Sequence, residues 1–220
     1  MPAEREPSPR DQIPEGISPD AREKWPHPAL IESFLGDADV DFEFRPGEEV
    51  AVHDDPEAQA AARRFRDVLG CFASGITVIT TTSGDEPVGM TCQSFSSVSL
   101  DPPLVLFVPA RSSRAWPLIQ RSGKFCVNVL AADQEHVSGQ MATKGIDKFA
   151  GIAWRPAAAT GSPVIEGSLA HLDCTIHAVY EGGDHYVVIG RVQELAIADG
   201  DGESEPLLYY KGRYRTTDAS

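Results

Sequence analysis

The sequence predicts a mostly β fold, an antiparallel barrel with a few short helices at its edges. Three observations support this fold class. At least six short runs rich in β-branched and apolar residues follow Gly75, turn residues separate these runs, and no strands alternate with helices as a parallel sheet requires. A barrel is favoured over a sandwich because closure removes exposed sheet edges.

The individual elements follow from local periodicity. A helix is predicted over 57–73, because its apolar residues Phe65, Val68, Leu69 and Phe72 follow the i, i+3, i+4, i+7 spacing. Shorter helices are predicted over 115–120 and 134–142, the second with Asp133 as its N-cap. Strands are predicted over 75–82, 88–99, 104–108, 125–130, 170–180, 186–195 and 206–210.

The strand over 170–180 shows the clearest alternation. Every second residue from Ala170 to Tyr180 is apolar, so this set is predicted to form the core face. His171 and His177 fall on the opposite face and are expected to be solvated.

Charge divides the 220-residue chain into two parts. The net charge is −14, and residues 1–57 hold 16 acidic but 5 basic residues, so the remainder is nearly balanced. We therefore expect residues 1–56 to form an acidic, Pro-rich and largely disordered leader, and residues 57–220 to form the folded domain.

Composition also excludes several classes of function. The acidity and the lack of a basic cluster argue against nucleic-acid binding. No apolar run is long enough to span a bilayer, and the first residues lack the apolar stretch of a secretory signal, so no membrane association and a cytoplasmic location are expected. The cysteines form no CxxC pair and are expected to be buried, reduced thiols, with no metal site: Cys71, Cys92, Cys126 and Cys174.

Three polar segments are candidates for a ligand site. Segment 89–99 is dense in hydroxyl and backbone N–H groups that can bind a cofactor, although a Ser-rich edge strand facing water has the same composition. Segment 111–114 combines two guanidinium groups, two hydroxyls and a helix start, which suits a phosphate as well as an ordinary helix cap. The turn 182–185 places His185 beside Asp184 at a strand mouth, where it either binds a cofactor or is simply solvated.

Taken in order, these segments resemble the flavin reductase-like family of FMN-binding split barrels. The resemblance covers roughly residues 60–215 and rests on FRxVLGxFASGITVIT from Phe65, VGMTCQSFSSVSLDPPLV from Val88, SGKFCVNVL from Ser122, DKF from Asp147, GGDH from Gly182 and PLLYY from Pro206. Members with this pattern include the small reductase components of two-component monooxygenases that hydroxylate phenols, among them a phenolic secosteroid.

The resemblance implies a six-stranded split barrel and a homodimer with flavin at the dimer interface. It implies an NAD(P)H:flavin oxidoreductase that reduces FMN or FAD with NADH or NADPH and hands the reduced flavin to a partner oxygenase. The absence of a catalytic triad fits this activity, because a cofactor carries the chemistry. Two alternatives stay open: a flavin-binding module without reductase turnover, and a protein whose bound flavin acts directly on an organic substrate.

The resemblance also assigns residues. Flavin contacts are implied for Gly89, Met90, Thr91, Cys92, Gln93, Ser94, Ser96 and Ser97, and phosphate contacts for Ser112, Ser113 and Arg114. His185, with Asp184, is implied as the nicotinamide contact and is the catalytic candidate. Phe149, with Tyr210 or Tyr214, is implied to form the walls of that pocket. Lys144 and Lys148 either help to hold a nucleotide phosphate or are solvated at the surface, and surface solvation is the favoured interpretation.

Overall fold

The computed structural model describes residues 56–198 and 204–217. The predicted acidic leader lies outside the described residues except for Pro56. The helices are α1 (Pro56–Leu69), α2 (Ala115–Ser122) and α3 (Glu135–Ala142), and a 3₁₀ turn (Ala132–Gln134) precedes α3. No helix in the described ranges is long and apolar enough to cross a membrane.

The strands account for most of the fold. They are β1 (Ser74–Gly75), β2 (Thr77–Ser83), β3 (Glu86–Cys92), β4 (Ser96–Leu100), β5 (Pro103–Phe107), β6 (Lys124–Val129), β7 (Trp154–Pro156), β8 (Pro163–Ile165), β9 (Ala170–Gly182), β10 (His185–Ile197), β11 (Leu208–Tyr210) and β12 (Arg213–Arg215). Seven of them form one antiparallel sheet in the order β3-β2-β6-β9-β10-β5-β4. The predicted mostly β, antiparallel fold with a few helices is confirmed.

The main sheet differs from the prediction in two respects. It has seven strands rather than six, and it stays open, with β3 and β4 as its two edges. The reason is that the predicted strand 88–99 is two strands. β3 pairs with β2, whereas β4 pairs with β5 at the other end of the sheet. The segment 89–97 therefore crosses the opening of the split barrel.

Aromatic rings fill the space enclosed by the sheet. Phe107 contacts Phe125 and Trp116 edge to face, with ring centroids 4.9 Å and 6.1 Å away, and all three side chains are buried. Trp116 anchors α2 to this core. β10 passes so close to Phe125 that a Cβ on Gly190 would lie 2.3 Å from the ring, so glycine is required there.

The alternation along β9 is only partly as predicted. Cys174, Ile176 and Ala178 are buried in the core, but Tyr180 is 52% exposed near the end of the strand. The prediction that His171 is solvated is wrong, because this side chain is buried, with Nε2 3.9 Å from Glu194 Oε1.

A loop covers the outer face of β9. Asp173, which shares that face with His171, is fully buried, and its Oδ2 accepts the N–H groups of Ala159 and Thr160 at 3.2 Å and 2.8 Å. A polar strand face is therefore enclosed here, since segment 157–162 supplies hydrogen-bond donors to it.

Two local predictions near the helices are also corrected. Cys71 is exposed just beyond α1, whereas burial raises the pKa of the Cys92, Cys126 and Cys174 thiols and keeps them protonated. Asp133 provides no side-chain cap. Instead, the chain before α3 is held by Gln134, whose Oε1 accepts the Ala131 N–H at 3.1 Å.

Candidate functional site

A cavity of about 590 Å³, the first cavity, lies between β3, the start of α2 and the segment that follows α3. Its size falls within the range of small-molecule sites, about 300–1,000 Å³. Six of the predicted ligand residues line it: Gly89, Met90, Thr91, Ser112, Ser113 and Arg114. The structure thus brings the first two polar segments of the sequence together.

The wall formed by β3 is fixed by close contacts with α3. A Cβ on Gly89 would lie 2.7 Å from Met141 Sδ and 3.3 Å from Phe149 Cε2, so a larger residue here would displace the Met141 side chain. The hydroxyl of Thr91 donates to the Ser138 carbonyl at 2.6 Å. The backbone of β3 is consequently held in place beside the cavity.

The opposite wall is the turn into α2. Ser113 Oγ accepts the Trp116 N–H at 3.3 Å and caps the helix from the preceding turn. The first turn of α2 contains no acidic residue, while Ser112 and Arg114 are exposed beside it. A positive helix end, two hydroxyls and a guanidinium group therefore face one cavity.

Positive charge dominates the lining of the first cavity. Arg114, Lys144 and Lys148 contribute cations, and Asp147 contributes the carboxylate. Lys148 is half-buried and its Nζ donates to the Gly89 carbonyl at 3.0 Å. Burial, and then the nearby Arg114 guanidinium, lower the pKa of Lys148.

The interpretation of Lys148 as a solvated surface residue is therefore wrong. Its contact with Gly89 joins residues 59 positions apart, which periodicity does not report. The available signal was its place in the Asp147-Lys148-Phe149 motif on which the resemblance partly rests.

A second cavity, of about 970 Å³, contains the third polar segment. Gln93 and His185 line it together with residues of α1 and of the turn between β11 and β12, among them Phe65, Leu69, Tyr209 and Lys211. His185 Nδ1 lies 2.8 Å from Asp184 Oδ1, and this bond lowers the pKa of Asp184. The carboxylate thus orients a half-buried imidazole at the cavity wall.

Strand-like pairing joins the two cavities. Ala110, in the wall of the first cavity, forms a β-bridge with His185. The Arg111 N–H donates to the Asp184 carbonyl at 2.9 Å, and the Arg111 guanidinium carbon lies 5.0 Å from the centre of the Tyr186 ring. The segment leading into α2 and the histidine turn are therefore one connected unit.

The remaining predicted residues lie outside both cavities. Cys92 is buried with its Sγ 3.2 Å from Ser94 Oγ, and Ser96 and Ser97 are exposed on the edge strand β4. Phe149 is buried behind Gly89, Tyr214 Oη lies 2.9 Å from Ser138 Oγ, and Tyr210 lies beneath Lys211 Nζ. Their assignments as ligand contacts stay predictions.

The chain matches the family model described as "Flavin reductase like domain" over residues 69–218. It is 55% identical over 157 residues to the reductase subunit HsaB of a flavin-dependent monooxygenase from Mycobacterium tuberculosis, covering 71% of this chain and 83% of the relative.

Solved structures agree in fold. The nitrilotriacetate monooxygenase component B of Mycobacterium thermoresistibile superposes with a TM-score of 0.69 at 52% identity, covering 72% of this chain and 87% of that chain. The NADH:FAD oxidoreductase SgcE6 of Streptomyces globisporus, in complex with NAD and FAD fragments, superposes with a TM-score of 0.67 at 37% identity, covering 76% and 98%. The chain therefore belongs to the flavin reductase-like family.

Proposed function

We propose that this flavin reductase takes hydride from NADH or NADPH, reduces FMN or FAD, and supplies the reduced flavin to a partner monooxygenase that acts on an aromatic or phenolic substrate. The observation that carries the proposal is the cationic first cavity at the barrel opening, joined by a β-bridge to His185. The oxygenase partner is supported by HsaB, which is named as the reductase subunit of a flavin-dependent monooxygenase.

The residues present fit a phosphorylated flavin. The first cavity offers cations and hydroxyls for a phosphate, and the open edge β3 offers backbone groups for a polar ring edge. A bound flavin supplies the ring that accepts hydride. Ser112, Ser113 and Arg114 would bind the phosphate, and Gly89, Met90 and Thr91 would form the wall beside the ring.

His185 is proposed to position the nicotinamide nucleotide. Asp184 fixes its ring through Nδ1, so that Nε2 is left for a ligand contact. Hydride transfer needs the reacting atoms within roughly 3–3.5 Å, and a histidine oriented at the cavity wall helps to set that alignment. No proton transfer is assigned to it.

We further propose that the protein is a homodimer. Phe65, Val68, Leu69 and Phe72 are all more than half exposed, and such an apolar group marks an interaction surface. Phe65, Leu69 and Phe72 also line the second cavity beside His185. A second copy of the chain seated on α1 would cover this surface and close the cavity, as the family resemblance implies.

Two sequence-based expectations belong to the same proposal. The family match over residues 69–218 supports a domain that occupies 57–220, with the acidic segment 1–56 outside it. The second expectation is a cytoplasmic location, which stays a prediction from the sequence.

The deciding experiment measures NADH and NADPH oxidation by the purified protein with added FMN, added FAD or no flavin. We expect oxidation that saturates with added flavin, because reduced flavin must leave for the oxygenase. Oxidation by a yellow protein that needs an organic substrate and no added flavin would favour direct action of bound flavin. Tight flavin binding without any oxidation of NADH or NADPH would indicate a flavin-binding module that lacks reductase activity.

A further inference from the structure

The turn that carries His185 is weakly held by its own hairpin. Gly182 and Gly183 precede Asp184, and Gly183 has a φ of +72°. The side chains of Asp184 and His185 are 69% and 42% exposed, so they bury little surface. Because glycine loses more conformational freedom than any other residue when it is ordered, contacts from other segments are needed to fix the position of this turn.

Backbone contacts come from the segment that leads into α2. The Tyr186 N–H donates to the Pro109 carbonyl, and the Arg111 N–H donates to the Asp184 carbonyl, both at 2.9 Å. These two bonds flank the β-bridge that His185 forms with the same segment. The position of the histidine is therefore tied to the wall of the first cavity.

The side chain of Arg111 contacts both strands of the hairpin beside the turn. Tyr186 on β10 and Glu181 on β9 are directly paired residues. The Arg111 guanidinium carbon lies 5.0 Å from the centre of the Tyr186 ring, and its Nη2 lies 3.3 Å from Glu181 Oε2. The contact with the ring contributes more than the ion pair, because Glu181 is 74% exposed and water screens its charge.

Tyr186 is itself supported by the hydrophobic core. Its ring centroid lies 5.7 Å from that of Trp116, which is buried and contacts Phe107 edge to face. Arg111 therefore packs against a ring whose own position is fixed.

Arg111 lies between the two cavities but is not among the residues that line either of them. Its neighbour Ala110 lines the first cavity, and His185 lines the second. The hydrogen bond from His185 is the main cause of the lowered pKa of Asp184, and the Arg111 guanidinium adds a smaller electrostatic effect in the same direction. The surroundings of Arg111 thus suit a residue that acts on a ligand through its neighbours.

Resting on the proposed function, we propose that Arg111 is a positioning residue: it fixes the turn of Asp184 and His185 relative to the first cavity, so that His185 binds the nicotinamide nucleotide beside the flavin. Arg111 contacts neither ligand. Hydride transfer needs the reacting atoms within roughly 3–3.5 Å, so a small displacement of the turn weakens productive binding of the nucleotide.

The test is a double-mutant cycle with Arg111→Met and His185→Ala, measured by steady-state NADH oxidation at saturating flavin in the full-length protein. Arg111→Met is expected to raise the KM for NADH about three- to fivefold, the usual effect of losing an exposed cation–π contact and a surface ion pair, and to leave flavin affinity unchanged. In the double variant, Arg111→Met should add nothing to the effect of His185→Ala, because it acts through that histidine. Arg111→Lys should restore most of the wild-type KM, because it keeps a cation beside the ring.

A second variant and a control complete the test. Tyr186→Leu removes the ring that Arg111 contacts but keeps an apolar side chain beside Trp116, so it should raise the KM for NADH by a similar factor. Arg191 is an exposed arginine on β10 that lines neither cavity, and Arg191→Met should behave as wild type.

Three outcomes would overturn the inference and leave flavin reduction intact. Additive losses in the double variant would mean that Arg111 binds the nucleotide directly. An unchanged KM for NADH in both Arg111→Met and Tyr186→Leu would mean that the backbone bonds suffice to hold the turn. A loss of flavin affinity in Arg111→Met as large as the rise in KM would assign Arg111 to the flavin site. Wild type that oxidises neither NADH nor NADPH with added flavin would instead refute the proposed function.

Discussion

At the residue scale, the role of His185 depends on what holds it. The ring contacts Asp184 at 2.8 Å, and the backbone pairs with Ala110. Both side chains are substantially exposed, so their contact adds little stability, about 0–1 kcal/mol, and its effect is orientation. The hydrogen bond lowers the pKa of Asp184, so the orienting carboxylate is ionised at neutral pH and is lost only as the pH falls through that lowered value.

Replacing this histidine tests its assignment. His185→Ala is expected to raise the KM for NADH about tenfold, the effect of one lost hydrogen bond, and to change flavin affinity much less. Steady-state NADH oxidation and flavin titration measure the two quantities. His136→Ala, an exposed histidine at the start of α3, serves as the control and should behave as wild type. NADH kinetics that do not change in His185→Ala would remove the nicotinamide role.

At the scale of elements, the barrel depends on the close approach of β10 to β6. Phe125 on β6 is fully buried and packs against Phe107, and Gly190 on β10 leaves space for its ring. Gly190 pairs with Val105 on one side and Ile176 on the other, so its backbone cannot move away without disturbing both ladders. Strand pairing and core packing constrain the same position.

A methyl group at this position should therefore destabilise the fold. Gly190→Ala is expected to lower the free energy of unfolding by about 1–3 kcal/mol, the usual cost of overpacking a core. Denaturant unfolding measures this change. Gly139→Ala is the matched control, because a Cβ there meets nothing within 4 Å and alanine suits the helix, so stability should hold or rise. Equal stability of the two variants would contradict the packing argument.

At the scale of the whole molecule, α1 is an element whose apolar residues are left exposed within the part of the chain that the structure describes. Its apolar residues follow helical spacing, yet Phe65 is 65% exposed and Phe72, just beyond the helix, is 80% exposed. The same residues line the cavity that contains His185. Assembly and the nicotinamide site are therefore coupled in the proposed dimer.

A charge on this surface should separate the protomers. Phe65→Asp is expected to convert a dimer into a monomer at micromolar concentration, because the carboxylate would be buried without a partner. Size-exclusion chromatography with light scattering measures the mass. Ala60→Asp adds the same charge at an exposed position on the opposite side of the helix and should leave the dimer intact. A monomeric wild type, or an intact Phe65→Asp dimer, would rule out this interface.

Local patterns determined most elements of the fold. The β-branched run from Gly75 predicted a strand, the apolar run from Leu104 predicted a buried strand, and α2 was predicted to within two residues of its end. The order of the motifs indicated the flavin reductase-like family. The sequence also indicated three polar segments as candidate ligand sites, and two of them meet in the first cavity. These features could be read from the sequence because strand propensity, helix spacing and turn chemistry act over a few residues.

Tertiary structure decided the features that depend on distant neighbours. The sequence predicts that the face of β9 with His171 and Asp173 is solvated. In the structure, the loop 157–162 encloses this face. The split of 88–99 into two edge strands follows from their different partners, β2 and β5. Lys148 is held in place by donating to the carbonyl of Gly89, 59 positions away in the sequence. The sequence by itself determined which groups are available, and the long-range pairing of strands decided which of them are buried, charged and close enough to bind a ligand.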